Sequence, residues 1–216
     1  MKAAPQSRVR DEARALYRKA ILDAAEEVFS EQGVAAARVQ DIAARARLGV
    51  GTIYNHFEQK EDVLHALLSE RATGLFDAFE ASEDDPRGFV DRLFVRVVRL
   101  LEYTASHRAF FQLASDHGLF GGGATANAQA LLGGKKVPHA GRYEQAILAL
   151  IDEGLAEGAL APAPRDVLAL QLRSTIKTAS QWARSRADVS AQHAARTFLD
   201  LFLDGAAKRG RRSAGK

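Results

Sequence analysis

Cysteine is absent from the 216 residues, and tryptophan and methionine occur once each. Without thiols there is no disulfide, no thiolate metal site and no cysteine nucleophile, and a reducing compartment suits the chain. Long apolar runs are also missing. No stretch approaches the roughly 18 residues of a membrane-spanning helix, and the first residues, MKAAPQSRVRDEARAL, lack the apolar segment of a secretion signal. The expectation is a cytoplasmic chain with no membrane partner. Alternating runs of β-branched residues bounded by turn residues do not occur, which removes the sequence signal for strands. There is no HExxH, no Glu-x-x-His pair and no GxSxG. The glycines between 121 and 134 fail as a phosphate loop: Gly134 and Lys135 are followed by Lys136 rather than a hydroxyl residue, and Gln129 stands where the first glycine is needed. Asp116 and His117, adjacent on a helix, point apart. These absences argue against an enzyme and imply no cofactor and no metal.

What the chain does have is helical periodicity, with 47% hydrophobic residues, enough for a sizeable core. The expected fold class is all-α, with about nine helices. Leu16, Ala20, Ala24, Val28 and Phe29 form the apolar stripe of a first helix over about 11–32, ended by a left-handed Gly33 with Val34 as its apolar contact. Further helices are expected at about 60–81, 87–104, 107–117, 141–158, 165–186 and 190–208. Residues 118–141 hold seven glycines and one proline and read as a loop, with a short helical turn at about 126–132.

The net charge of +3 is unevenly spread. Residues 1–60 carry 10 basic and 8 acidic side chains, residues 61–207 carry 15 and 19, and residues 208–216 add five basic ones. A basic head before an acidic body suits a nucleic-acid-binding N-terminal segment. The tail, 209–216, reads as a solvated, disordered end. The expected division is a DNA-binding domain at 1–60, a body at 61–208 and the tail.

The most informative stretch is RVQDIAARARLGVGTIYNHFEQK, residues 38–60. Val39, Ile42, Ala43 and Ala46 give one helix an apolar face, and Ile53 and Phe57 do the same one turn apart for a second, after a three-residue turn. That is the pattern of a helix-turn-helix, which sets a helix end in the major groove. The second helix then shows Val50, Gly51, Thr52, Tyr54, Asn55 and His56, with no acid among them, a face suited to a polyanion.

This stretch resembles the DNA-binding signature of the tetracycline-repressor (TetR) family of bacterial regulators, which typically reads Thr-Val-x-x-Ile-Ala-x-x-Ala-Gly-Val-Ser-x-Gly-Thr-Leu-Tyr-x-His-Phe-x-x-Lys. Val39, Ile42, Ala43, Ala46, Gly51, Thr52, Tyr54, His56, Phe57 and Lys60 match it, with Leu48 and Ile53 as apolar equivalents. The resemblance implies a three-helix head on a larger helical body that binds ligand and dimerises. It also implies a regulator, by default a repressor, that binds a palindromic double-stranded DNA operator as a homodimer and is released by a small-molecule effector. By resemblance, Tyr54, His56 and Lys60 grip phosphates or the groove edge, Thr52 and Asn55 lie toward bases or backbone, and Gln40 reaches a base. The side chains suit these tasks: Tyr and His carry donors on stiff stems, and Gln can pair with adenine.

Three positions depart from the pattern. Arg47 replaces the turn glycine, which in a left-handed backbone costs roughly 1 kcal/mol. Gly49 replaces the serine cap and forfeits a few tenths of a kcal/mol, roughly, along with a phosphate contact. Arg38 replaces a small hydroxyl residue. Arg38, Arg47 and the arm residues Arg8, Arg10 and Arg14 are candidates to supply the missing contacts.

The resemblance also implies an effector site among the helices between residues 60 and 185. Candidate lining residues are Phe76, Phe79, Tyr103, His107, Phe111, Gln112 and Tyr143, then Arg173, Lys177, Gln181 and Trp182. The competing reading for the rings is ordinary core packing, and for the stripe of Arg173, Lys177 and Gln181 a solvated face. In the last helix, Phe198, Leu199, Leu201, Phe202 and Leu203 spread beyond one stripe, so it is expected to be buried on more than one side. A dimer made by the last two helices as a four-helix bundle follows. Two other classes stay open, a helical carrier of small molecules or lipids and a bundle enzyme, both without operator binding. Salt-sensitive, sequence-specific DNA binding separates them from a regulator.

Overall fold

The helical spacing is realised in a computed structural model, which describes residues 5–80, 87–119, 130–135 and 140–204. Nine α-helices lie among the described residues: α1 (Pro5–Gln32), α2 (Val39–Ala46), α3 (Val50–Tyr54), α4 (Lys60–Phe79), α5 (Phe89–Ser106), α6 (Arg108–Asp116), α7 (Ala140–Ala156), α8 (Arg165–Ser185) and α9 (Ala191–Asp204). No strand occurs among those residues, so the all-α expectation holds. None of the helices is long and apolar enough to cross a membrane. Most of the expected turn at 126–132 and the whole of the tail at 209–216 lie outside the described residues.

Two compact units are present. The first holds α1, α2, α3, α4 as far as Thr73, and α6; the second holds α4 from Gly74 onward, α5, α7, α8 and α9. In the first unit α1 packs on α2 and α6. Its inner half buries Ile21, Leu22, Ala25, Val28 and Phe29. Gly33, with φ 78°, ends the helix and donates its N–H to the Phe29 carbonyl at 2.9 Å, and Val34 is buried beside it, as the sequence predicts.

The outer half of α1 corrects the sequence reading. The helix starts at Pro5 rather than near residue 11, and Leu16, expected on the core stripe, is 70% exposed. From Val9 to Lys19 every residue is exposed or half-buried. The helix outruns what it packs against, and an apolar side chain on the overhang stays in water.

Inside this unit sits a buried ionic cluster. The Arg71 guanidinium, on α4, is buried and donates through Nε to the Glu26 carboxylate of α1 at 2.7 Å and through a second nitrogen to the same oxygen. Glu70 and Asp23 lie 3.0 and 3.5 Å from it. The other Glu26 oxygen meets His107 Nδ1 at 3.1 Å, which brings the residue preceding α6 into the same network.

In the second unit α5, α8 and α9 pack on one another around Leu93, Leu101, Ile151, Leu172, Ile176 and Leu199. The α4 segment approaches α5 closely: a Cβ on Gly74 would collide with the ring and hydroxyl of Tyr103, so a larger residue there would force that side chain to move. Between α5 and α8 the buried Thr104 and Ser180 hydroxyls pair at 3.1 Å.

Candidate nucleic-acid interface

The helix-turn-helix is built by caps and two apolar anchors. Arg38 stands at the N-cap of α2 in extended conformation, and the Asp41 carboxylate accepts its backbone N–H at 3.2 Å. A guanidinium has no acceptor, so that is half of a capping box, and the Arg38 side chain stays exposed. Val39, Ile42 and Ala43 are buried, while Gln40 points outward. Arg45, on the outer side of α2, is clamped by Glu27 and Glu31 of α1, both at 2.6 Å.

Arg47 ends α2 in the left-handed region, at φ 55° and ψ 39°, and is the one non-glycine residue with positive φ among the described residues. The family glycine is thus missing where its backbone conformation is kept. Arg47→Gly is expected to raise the unfolding free energy by about 1 kcal/mol, seen as a rise of about 2–4 °C in the melting temperature. A lower melting temperature would mean that the guanidinium makes a contact worth more than the strain.

Gly49 is the N-cap of α3, extended at φ −70° and ψ 145°, with its carbonyl accepting the Thr52 N–H at 2.9 Å. Ile53 and Phe57 are buried and hold the short helix down. On the other side Gly51 and Asn55 are exposed, Tyr54 is 51% exposed, and Val50, Thr52 and His56 are half-buried. A Cβ on Gly51 would meet nothing within 4 Å. Nothing in the free fold demands a glycine there, and in a helix glycine costs about 1 kcal/mol against alanine.

His56 follows α3 with its ring 6.3 Å from that of Tyr17 on α1, edge-on. Burial pushes its imidazole below the ordinary value, and the charges of Arg14 and Arg18 push the same way, so it is uncharged at neutral pH. Arg18 in turn lies over the Phe57 ring at 5.2 Å. Lys60 has a different position from that of an exposed cation. Its ammonium donates to the carbonyls of Val34, Ala35 and Ala37 at 2.7, 3.2 and 2.9 Å, one proton for each, and so ties the start of α4 to the turn between α1 and α2.

The structure thus brings Gly49, Val50, Gly51, Thr52, Tyr54, Asn55 and His56 together at one short helix and its flanks, with Arg38, Gln40 and Arg47 on α2 and its caps. Tyr17 joins them, although no sequence pattern marks it. Its partner His56 is 39 positions away, and only its place on α1, one turn before the buried Ile21, hints at the contact.

The candidate effector residues are not gathered in one unit. His107, Phe111 and Gln112 belong to the first, and Phe76, Phe79, Tyr103, Tyr143, Arg173, Lys177, Gln181 and Trp182 to the second. Phe76, Phe79 and Phe111 are buried. Gln112 is exposed and donates to Asp116 at 2.8 Å. Burial pushes the Tyr143 phenol up to about 12. Arg173 pairs with Glu144 at 2.6 Å, and Lys177 and Gln181 are exposed, which is how a solvated face looks. Trp182 is half-buried against His193 and Phe198.

Of the apolar residues assigned to the dimer contact, Leu199 is buried in its own unit, because α9 turns that position toward α5 and α8. Phe198, Phe202 and Leu203 are half-buried, and Leu201 is 49% exposed. On α8 the exposed apolar groups are Val167 and Leu170, at 51 and 55%.

Residues 21–67 match the family described as bacterial regulatory proteins, tetR family. Over 198 residues, 88% of this chain and 91% of the relative, it is 25% identical to the HTH-type transcriptional repressor KstR2 of Rhodococcus jostii. The HTH-type transcriptional repressor Rv3405c of Mycobacterium tuberculosis is 34% identical over 82 residues, 38% of this chain and 43% of the relative. Among solved structures, the fatty acid degradation regulator FadR of Bacillus halodurans superposes with a TM-score of 0.71 at 21% identity, over 97% of this chain and all of that one. The regulator FadR of Bacillus subtilis, solved with stearoyl-CoA, does so at 0.67 and 20% identity, over 88% of this chain and 99% of that one. The head at residues 21–67 is thus that of the tetR family of bacterial regulatory proteins, carried on a helical chain that aligns with a named repressor over most of its length.

Proposed function

We propose that the chain is a cytoplasmic transcriptional repressor, not an enzyme, which binds a palindromic operator as a homodimer and is released by a small-molecule effector. The observation that carries it is α3, whose buried Ile53 and Phe57 turn Gly51, Thr52, Tyr54 and Asn55 outward with no acid among them. Gly51 lets a DNA backbone come close to the helix, Tyr54 donates to a phosphate, and the neutral His56 offers one ring N–H. Gln40, Thr52 and Asn55 are the groups that read bases. Arg38 and Arg47 donate to the phosphate that a serine hydroxyl would have held and that Gly49 cannot reach. Arg47 keeps its strained backbone because the guanidinium serves the interface. Lys60 acts in the head by tying the turn before α2. The functional division remains a head at 1–60 and an effector-binding, dimerising body at 61–208.

Dimerisation uses the outer faces of α8 and α9. Val167, Leu170, Gln171, Ser174, Thr178 and Gln181 share one exposed side of α8. The Ser174 and Thr178 hydroxyls donate to carbonyls of their own helix at 2.9 and 2.8 Å, which leaves a low surface that a second helix can approach. Leu201 supplies an apolar group from α9. For the effector, the stearoyl-CoA held by the Bacillus subtilis regulator makes a long-chain acyl thioester the first class to test.

Selection from a random-sequence duplex pool tests the reading, with stearoyl-CoA then added to the complex. The chain is expected to enrich a palindrome. Tyr54→Ala, at a half-exposed position, and His56→Ala are each expected to weaken binding by about tenfold or more while the protein still melts cooperatively. No enrichment, or full binding by both variants, would reject the assignment.

A further inference from the structure

Arg10, Arg14, Tyr17 and Ile21 lie on one face of α1, since steps of four, three and four residues return to within about 60° of one another. The inner end of this face is anchored: Ile21 is fully buried, and Tyr17 sets its ring against His56 beside α3. One turn outward, Arg14 still acts electrostatically on His56. Arg10 follows another turn on, about 10 Å along the axis from Tyr17. The face that packs on the reading head therefore continues past its edge as two guanidinium groups.

Both arginines are exposed, and neither makes an ion pair among the described residues. Arg45 of the same unit is neutralised by two glutamates. Of the acids nearby on α1, Glu12 comes off the opposite side, about 200° from Arg10, and Asp11 flanks the strip, about 100° from Arg10 and 60° from Arg14. A cationic strip of this kind, with neither arginine paired to an acid among the described residues and in line with the reading face, fits a row of phosphates.

We propose that the outer half of α1 is a phosphate-binding overhang, in which Arg10 and Arg14 hold the DNA backbone flanking each half-site and Tyr17 joins that contact to the one made by α3. The inference rests on operator binding by the head. Its contribution is independent of sequence, since phosphate contacts fix position and leave base preference to α2 and α3.

The test compares the full chain with R10A/R14A and R10K/R14K on the duplex enriched by the unaltered protein. Both positions are exposed and helical, where alanine is favoured, and circular dichroism checks that α1 persists. R10A/R14A is expected to keep the same half-site sequence and to bind roughly ten- to a hundredfold more weakly near physiological salt. The slope of log affinity against log salt should fall by about 3 to 4, because two arginines in each half of a dimer neutralise about four phosphates, at roughly 0.9 each. Hydroxyl-radical protection flanking each half-site should vanish, and R10K/R14K should restore slope and protection. An unchanged slope and footprint in R10A/R14A would overturn the overhang while leaving the head's role intact. If the unaltered chain enriches no sequence, the functional reading itself fails.

Discussion

Arg71→Met is expected to lower the unfolding free energy by about 3–5 kcal/mol, the cost of removing one partner from a buried ion pair. In the folded protein the guanidinium is surrounded by Glu26, Glu70 and Asp23, and Glu26 is itself mostly buried. Without the cation, the Glu26 carboxylate keeps only His107 among these partners and faces two other acids. Methionine fills much of the same volume, so the loss is electrostatic rather than a cavity effect. For a chain of this length it corresponds to a fall of about 6–20 °C in melting temperature. The double variant E26L/R71M, which removes both charges, is expected to be much milder than R71M alone. Equal destabilisation by the single and double variants would mean that Arg71 acts by packing its stem, not by its charge.

Lys60→Met is expected to cost about 2–3 kcal/mol, since three carbonyls of the turn at 34–37 lose a charged donor. Arginine should not restore it, because a planar fork cannot aim three protons at carbonyls that converge on one ammonium. The same variant separates two roles on DNA. If Lys60 works by holding the turn that orients α2, operator affinity falls while the salt slope stays unchanged. If instead the ammonium leaves the turn for a phosphate, the slope drops by about 2 for the dimer.

The head was legible because its information is local. Val39, Ile42, Ala43, Ile53 and Phe57 repeat at helical spacing within 19 residues, and all five are buried as that spacing requires. The left-handed Arg47 was equally readable, since the turn needs that conformation whatever residue occupies it. What escaped depends on distant partners. Glu26 meets residues 45 and 81 positions away, and no pattern in the sequence announces that cluster. The ammonium of Lys60 could be assigned a charge from the sequence but not a destination. Leu16 misled because helical periodicity extends past the end of what the helix packs on. On α8, Ser174 and Thr178 interrupt the apolar pattern, so the outward face at Val167 and Leu170 reads as polar until their hydroxyls are seen to bond their own backbone.

The 28 residues of α1 form one uninterrupted helix from Pro5 to Gln32, so its outer arginines and its buried core residues belong to a single stiff rod. A basic extension that is disordered in the free protein must lose chain entropy each time it lies down on a duplex. Here that loss is incurred once, at folding, and the bearing of Arg10 and Arg14 is set by the way Ile21, Leu22 and Ala25 pack. Repacking the core beneath α1 would therefore swing the arginines through an arc that grows with distance along the helix. A small substitution in the interior could retune how the protein grips DNA without altering any residue that touches it.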